Sequence, residues 1–427
     1  MKFKLLKDKN FSLLMFGKIT SLIGSSMQSF ALSLFVLATT GSATKFASIL
    51  SIALIPQLIF GPIAGVFVDR FNRKKILVIL DLISGVVVSI FAVIYFITGE
   101  LPIGYIYMLA IILSLISTLF QPALQTVLPS IIKKEDLVDA NAMNSLILAI
   151  GNLAAPAIAG ILYGSFGLEF IFILNSITFF VSAFSECFID IPKINNSEKL
   201  NLKLFWDDFS NGIKFSLSNK TVASIVILAM MLNFALGSFT VGVTFVCKRI
   251  LMVSDFQYGL TESISVAAMM ISSLLTGYLA KKYTIGKNVY KSLLYTGIVT
   301  AFFGMAVFKP FLNIFSSSLV PYIFIMMLGF VIGLFIGIAN IFIGIYFQTI
   351  VPLEYMGRVG TVQSTVCMAA MPLSNMMFGL LFDKIDASII FPISATLVII
   401  PISFYRKVLL SVDIDKHNTN EENLVNA

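Results

Sequence analysis

Gly61-Pro62-Ile63-Ala64-Gly65-Val66-Phe67-Val68-Asp69-Arg70-Phe71-Asn72-Arg73-Lys74-Lys75 sets five charges in the seven residues from Asp69 to Lys75, between two long apolar runs. The runs, about 46–68 and 76–97, each come close to the ~20 residues an α-helix needs to cross ~30 Å of hydrocarbon. The charges therefore belong at a membrane surface, in a tight loop that joins two spanning helices.

Composition says the same of the whole chain. With 58% hydrophobic residues, 12% charged residues, 40 Phe and a mean hydropathy of +0.96, a soluble globule would have too little polar surface to cover itself. The expected fold class is an all-α polytopic membrane protein. Its 427 residues supply about twelve apolar spans, near 11–37, 46–68, 76–97, 103–120, 141–163, 170–188, 221–246, 258–280, 292–308, 321–345, 361–382 and 388–405. The start Met1-Lys2-Phe3-Lys4 is not read as a cleaved signal, because the first apolar run is long and lacks a small-x-small cleavage site. The single His417 and the scattered Cys187, Cys247 and Cys367 leave no metal or disulfide spacing to build on. No cofactor is expected beyond an ion gradient.

The longest polar stretch, about 190–220, separates residues 1–189 from 221–406 and marks a cytoplasmic linker between two six-helix bundles; 407–427 reads as a cytoplasmic tail. Within the linker, Leu204, Phe205, Phe209, Ile213 and Phe215 recur at partly helical spacing, so 202–217 is either an amphipathic helix on the membrane face or a solvated connection. Lys and Arg are retained on the cytoplasmic side of short loops. With the N-terminus inside, 23 of the 29 basic residues fall inside and five outside, Lys18 lying within the first span. Both termini are thus expected in the cytoplasm. The net charge of +7 becomes a matter of topology and anionic lipid, with no nucleic acid as partner. The abundance of Phe, Ile, Lys and Asn suggests an AT-rich bacterial genome and so a bacterial cytoplasmic membrane. Gln125-Thr126-Val127-Leu128-Pro129 and Gln348-Thr349-Ile350-Val351-Pro352 echo each other across the halves, as a duplication would leave them. A weaker echo links the Gly65–Arg70 turn to Gly277-Tyr278-Leu279-Ala280-Lys281-Lys282.

The charged loop resembles the segment between the second and third helices of the major facilitator superfamily, roughly G-x-L-A-D-R-x-G-R-[KR]. Gly65, Asp69, Arg70, Arg73 and Lys74 match, with Gly61 ahead of them; Asn72 replaces a glycine and is expected to enter the left-handed turn region. In the fifth span, Gly151-Asn152-Leu153-Ala154-Ala155-Pro156-Ala157-Ile158-Ala159-Gly160 is similar to the G-x-x-x-G-P-x-x-G-G motif of drug exporters in that superfamily, Ala155 and Ala159 replacing glycines. It reads equally as a close-packed helix face. The segments Ser21-Leu22-Ile23-Gly24, Thr40-Gly41-Ser42-Ala43 and Asn141-Ala142-Met143-Asn144-Ser145 resemble the macrolide-efflux and enterobactin-exporter subgroup. The resemblance implies two pseudo-symmetric six-helix bundles rocking about a central site, with the Asp69/Arg70/Arg73 loop as inner latch. It also implies export of bulky amphipathic small molecules driven by an ion gradient, usually of protons, by a chain expected to be monomeric.

Ionisable and polar groups inside spans are costly and therefore candidate pathway residues. Lys18 either holds an acidic substrate or reaches the surface along its own stem. Asp81 either pairs with the Arg70–Lys75 cluster or carries a proton. Glu262, near the outer end of the eighth span, is either an exposed helix-start residue or a proton carrier. The helices that line the cavity in the superfamily point to Gln28, Asn233 and Asn340, each of which has the alternative of satisfying a neighbouring helix. No basic residue lies between Leu101 and Ile132, whereas many proton-coupled relatives carry an arginine in the fourth span. The absence of G-x-x-x-x-G-K-[ST] argues against an ATP-driven pump, and one histidine in a polar tail argues against an enzyme.

Overall fold

The computed structural model describes residues 3–68, 71–191 and 202–410, and every regular element among them is helical. The α-helices are Lys9–Thr40 (α1), Ala43–Ile52 (α2), Ile55–Val68 (α3), Arg73–Thr98 (α4), Ile103–Ile131 (α5), Leu137–Cys187 (α6), Leu202–Ser218 (α7), Lys220–Phe245 (α8), Asp255–Lys282 (α9), Ile285–Ala306 (α10), Lys309–Leu312 (α11), Leu319–Ile350 (α12), Leu353–Lys384 (α13) and Ala387–Phe404 (α14). Eleven helical stretches among the described residues are long and apolar enough to cross a membrane.

Eleven stretches replace the expected twelve because the fifth and sixth spans run together in α6. At 51 residues that helix would be about 77 Å long if straight, more than twice the hydrocarbon thickness. It breaks at Gly167, whose φ of 77° and ψ of −173° lie in a region open almost only to glycine. The two arms fold back on each other: Ala140 and Met143 of the first arm share a core cluster with Ile189, just past the end of the second.

The second expected span is also interrupted, between α2 and α3. Pro56 has no N–H to give the Ile52 carbonyl, and its ring crowds that turn. The Ser114 hydroxyl of α5 donates to the Ala53 carbonyl at 2.5 Å in the gap. Elsewhere the helices overrun the expected spans, most at α5, which continues through Gln121 and Pro122 to Ile131.

Local sequence accounts for several ends. Gly41, with φ 66°, closes α1 by donating to the Leu37 carbonyl, and Ser42 then caps α2 through Lys45 N at 3.2 Å, a stop and start that Thr40-Gly41-Ser42-Ala43 encodes. Asn72 departs from expectation. Its φ of −66° and ψ of 111° are extended, and its side chain accepts from Lys75 N at 3.2 Å, so it serves the loop as the N-cap of α4 and not as a left-handed turn.

The chain forms two compact units: residues 1–200 with 254–263, and residues 201–253 with 264–427. In the first, α1 packs along α6 and α6 along α4, around Ala31, Val36, Val88, Phe91 and Phe172. In the second, α10 packs on α12 and α14, and α8 on α13, around Leu228, Val289, Phe342 and Ile402. Lipid tails are as apolar as these side chains, so close packing and interhelical hydrogen bonds hold such seams. The linker helix α7 lies on α13, its Phe215 ring stacked on Tyr355 at 4.0 Å.

Candidate functional site

Polar groups gather along the α1–α6 seam of the first unit. Gln28, 2% exposed, accepts from the amide of Asn175, 1% exposed, at 2.7 Å. The Thr178 hydroxyl donates to the other side of that network, Asn175 Oδ1, at 3.0 Å. Gly24 is what lets α1 approach Asn175 and Thr178 so closely. Six residues earlier on α1, the Lys18 ammonium donates to the Asn144 side chain of α6, which ties it into the bundle.

Asp81, on α4, faces the far arm of α6. It is buried beside Ser182, and the next acid on that arm, Glu186, has Asp81 as its charged neighbour. Among the described residues Asp81 forms no ion pair with the Arg73–Lys75 turn. Sequence reasoning passed over Glu186, because a carboxylate at the end of a span reads as a surface charge. The usable signal was Ser182 one turn before it, with the side-chain-free Gly17 on the neighbouring helix.

The small-residue run of α6 has two packed faces. Gly151 meets Leu22 of α1, where an added Cβ would come within 2.6 Å of Cδ2. Ala155 and Ala159 are fully buried. A Cβ at Gly160 would collide with the Asp255 carbonyl oxygen, and one at Gly259 with the Pro156 carbonyl oxygen. Residues 254–263 belong to the first unit, so this contact is internal to it. Ser254 and Gln257 start α9 with reciprocal bonds, Ser254 N to Gln257 Oε1 at 2.9 Å and Gln257 N to Ser254 Oγ at 3.2 Å, a capping box. That start presents Tyr258, whose ring stacks on Phe30 of α1 at 5.2 Å and whose hydroxyl donates to Glu262 Oε1 at 3.1 Å. Glu262 is thus half-buried and bonded, in an aromatic setting that the sequence did not reveal.

The remaining candidates lie apart. Asn233 donates to the Ala229 carbonyl of its own helix α8 at 2.9 Å, and Asn340 is exposed on α12. Of the charged loop, Gly61 and Gly65 fall in α3 and Arg73 and Lys74 in the first turn of α4, while Asp69 and Arg70 lie outside the described residues. His417 also lies outside them. At the end of α9, where the weaker echo was expected, Lys282 and Lys291 stand over the Tyr283 ring at 5.6 and 3.8 Å, within cation–π range. Among the described residues no three His, Cys, Asp or Glu gather as a metal site.

Membrane-crossing helices in two compact units, with polar side chains buried between helices, mark a polytopic membrane protein. The profile of the Major Facilitator Superfamily matches residues 14–375, and the chain belongs to that family. It is a secondary transporter and not an enzyme. Macrolide efflux protein A of Streptococcus pyogenes is 24% identical over 90% of this chain and 92% of its own length. The staphyloferrin A transporter of Staphylococcus aureus is 23% identical over 92% and 96%. Among solved structures, a bacterial homologue of the iron transporter ferroportin superposes with a TM-score of 0.72 at 14% identity, covering 94% of this chain and 98% of that one. The nucleoside transporter NupG gives 0.72 at 15%, covering 96% and 100%. These two likenesses extend to the fold alone.

Proposed function

We propose that the chain exports amphipathic small molecules of the macrolide type in exchange for protons, by rocker-type alternating access. The observation that carries this reading is the Gly151–Gly160 run of α6, whose small residues seat α1 on one face and the start of α9 on the other. Likeness to macrolide efflux protein A along nearly the whole chain supports it. The stacked Phe30 and Tyr258 rings beside Glu262 offer an apolar wall with one carboxyl, suited to a bulky cationic amphiphile. The loop carrying Asp69, Arg70, Arg73 and Lys74 is assigned the role of inner latch, and the chain is taken to act as a monomer. The test is accumulation of erythromycin and a panel of fluorescent compounds in cells expressing the chain, with and without a protonophore. Lowered accumulation that the protonophore restores is expected. Unchanged accumulation for every compound, with the protein present in the membrane, transfers the assignment to a dedicated metabolite such as a siderophore, a reading favoured by the staphyloferrin A transporter.

A further inference from the structure

Among the described residues, two carboxyl groups in the first unit meet no counter-charge. Asp81 on α4 and Glu186 on α6 are 3% and 2% exposed. Among the described residues, Asp81 Oδ2, Glu186 Oε2 and the Ser182 hydroxyl, one turn before Glu186, have no hydrogen-bond partner. The three groups are neighbours: Ser182 adjoins the Asp81 carboxyl, and Asp81 is the charge beside Glu186. Helix α1 closes the remaining side without a side chain of its own, since a Cβ at Gly17 would stand 3.1 Å from Ser182 Oγ and 3.7 Å from Glu186 Cγ.

The described residues of the surrounding elements do not supply the missing charge. On α4 the basic groups are Arg73, Lys74 and Lys75, Arg73 lying eight residues and about 12 Å along the axis from Asp81. On α1 they are Lys9 and Lys18, and the Lys18 ammonium is held by Asn144. Besides Glu186, α6 carries Asp139, Tyr163, Glu169 and Cys187. Asp190 follows α6, its backbone bonded to Asn10. On α5 the titratable groups are Tyr105 and Tyr107. Among the described residues none of these forms an ion pair with Asp81 or Glu186.

Two ionised carboxylates side by side, stripped of water and without a cation, would repel each other in a medium that screens poorly. One proton between them removes the repulsion and provides the donor that the unpartnered oxygens lack. A hard metal cation in its place would want about six oxygen ligands, and three side-chain groups converge here. We propose that Asp81 and Glu186 form a proton-binding site, holding one exchangeable proton between them with the Ser182 hydroxyl as its auxiliary hydrogen-bond partner. A coupling role for that proton rests on the export reading above: it is one of the protons exchanged for substrate, alongside any that Glu262 carries.

The site is tested on the purified full-length protein in vesicles of phosphatidylethanolamine and phosphatidylglycerol, by infrared spectroscopy of the protonated-carboxyl C=O stretch from acid to alkaline pH. Wild type is expected to show a band at neutral pH that fades as the pH rises. Asp81→Asn and Glu186→Gln, both close in volume to the native side chains, should each shift its frequency and the pH at which it fades, and the double variant should remove it; Ser182→Ala should shift its frequency and keep its intensity. If one acid variant fails to insert, the other and Ser182→Ala still decide the assignment. Superposable spectra for wild type and the variants would overturn the site, as would a band that sodium at fixed pH removes as alkali does. Erythromycin export by the same proteins is scored separately. A wild type that exports none retires the macrolide reading and leaves the band assignment standing. Where wild type does export it, Asp81→Asn and Glu186→Gln should lose the protonophore-sensitive part, and retention of that part overturns the coupling role.

Discussion

Single side chains carry distinguishable duties in the charged loop and around Tyr258. Asn72 caps α4, so Asn72→Ala is expected to cost about 1 kcal/mol of stability, read as a lowered midpoint of thermal unfolding in detergent with transport kept. Arg73→Ala is expected to do the reverse, cutting transport while the protein stays inserted and stable; normal transport by that variant removes the latch role. Glu262→Gln preserves the acceptor for the Tyr258 hydroxyl, which leaves folding intact, and is expected to flatten the pH dependence of export. A pH profile identical to wild type would discard Glu262 as a proton carrier. At this scale the sequence was least informative. It could nominate Gln28, Lys18, Asp81 and Glu262 as polar groups in apolar spans, but not the neighbours that meet them: Asn175, Asn144 and Ser182 come from up to 147 positions away, and Tyr258 reads as one more apolar residue of its own helix. Glu186 went unnoticed because its burial depends on α4 and on Gly17, and the one local sign, Ser182 a turn earlier, is weak by itself.

Helices were more legible, with errors that trace to particular residues. The pattern of apolar runs placed a boundary between 163 and 170, which brackets Gly167, yet it implied a loop where there is one glycine. It missed the α2–α3 break because Pro56 sits in a long run, 46–68, that stays apolar on both sides of Gln57. It ended the fourth span at 120 because Gln121 and Pro122 look like a terminus, although α5 continues past both. Gly167→Ala forces a side chain into backbone space that costs on the order of 1–3 kcal/mol, and a lower yield of folded protein by size-exclusion chromatography is expected. Contact, and not conformation, governs the fifth-span motif. Gly160→Val drives side-chain atoms into the Asp255 backbone, whereas Gly61→Ala meets nothing within 4 Å. Loss of export and of thermal stability is therefore expected for Gly160→Val, with Gly61→Ala unfolding as wild type does. Equal stability of the two variants would mean that the α6–α9 seam yields without penalty.

For the molecule as a whole, the fold class followed from hydropathy and one charged loop, because a bilayer allows so few architectures. The uneven distribution of Lys and Arg adds an orientation that impermeant thiol reagents can read. With the native cysteines replaced by serine, Lys45→Cys in intact cells is expected to label and Lys282→Cys to label only after the membrane is opened; the opposite pattern would invert the topology. The hairpin of α6 also bears on biosynthesis. Two spans joined by one glycine leave no slack for the first to settle across the bilayer while the second is still being made. They are expected to leave the ribosome's exit path for lipid as a pair, so that a force-sensing arrest sequence placed at successive points downstream of Gly167 registers one pull and not two.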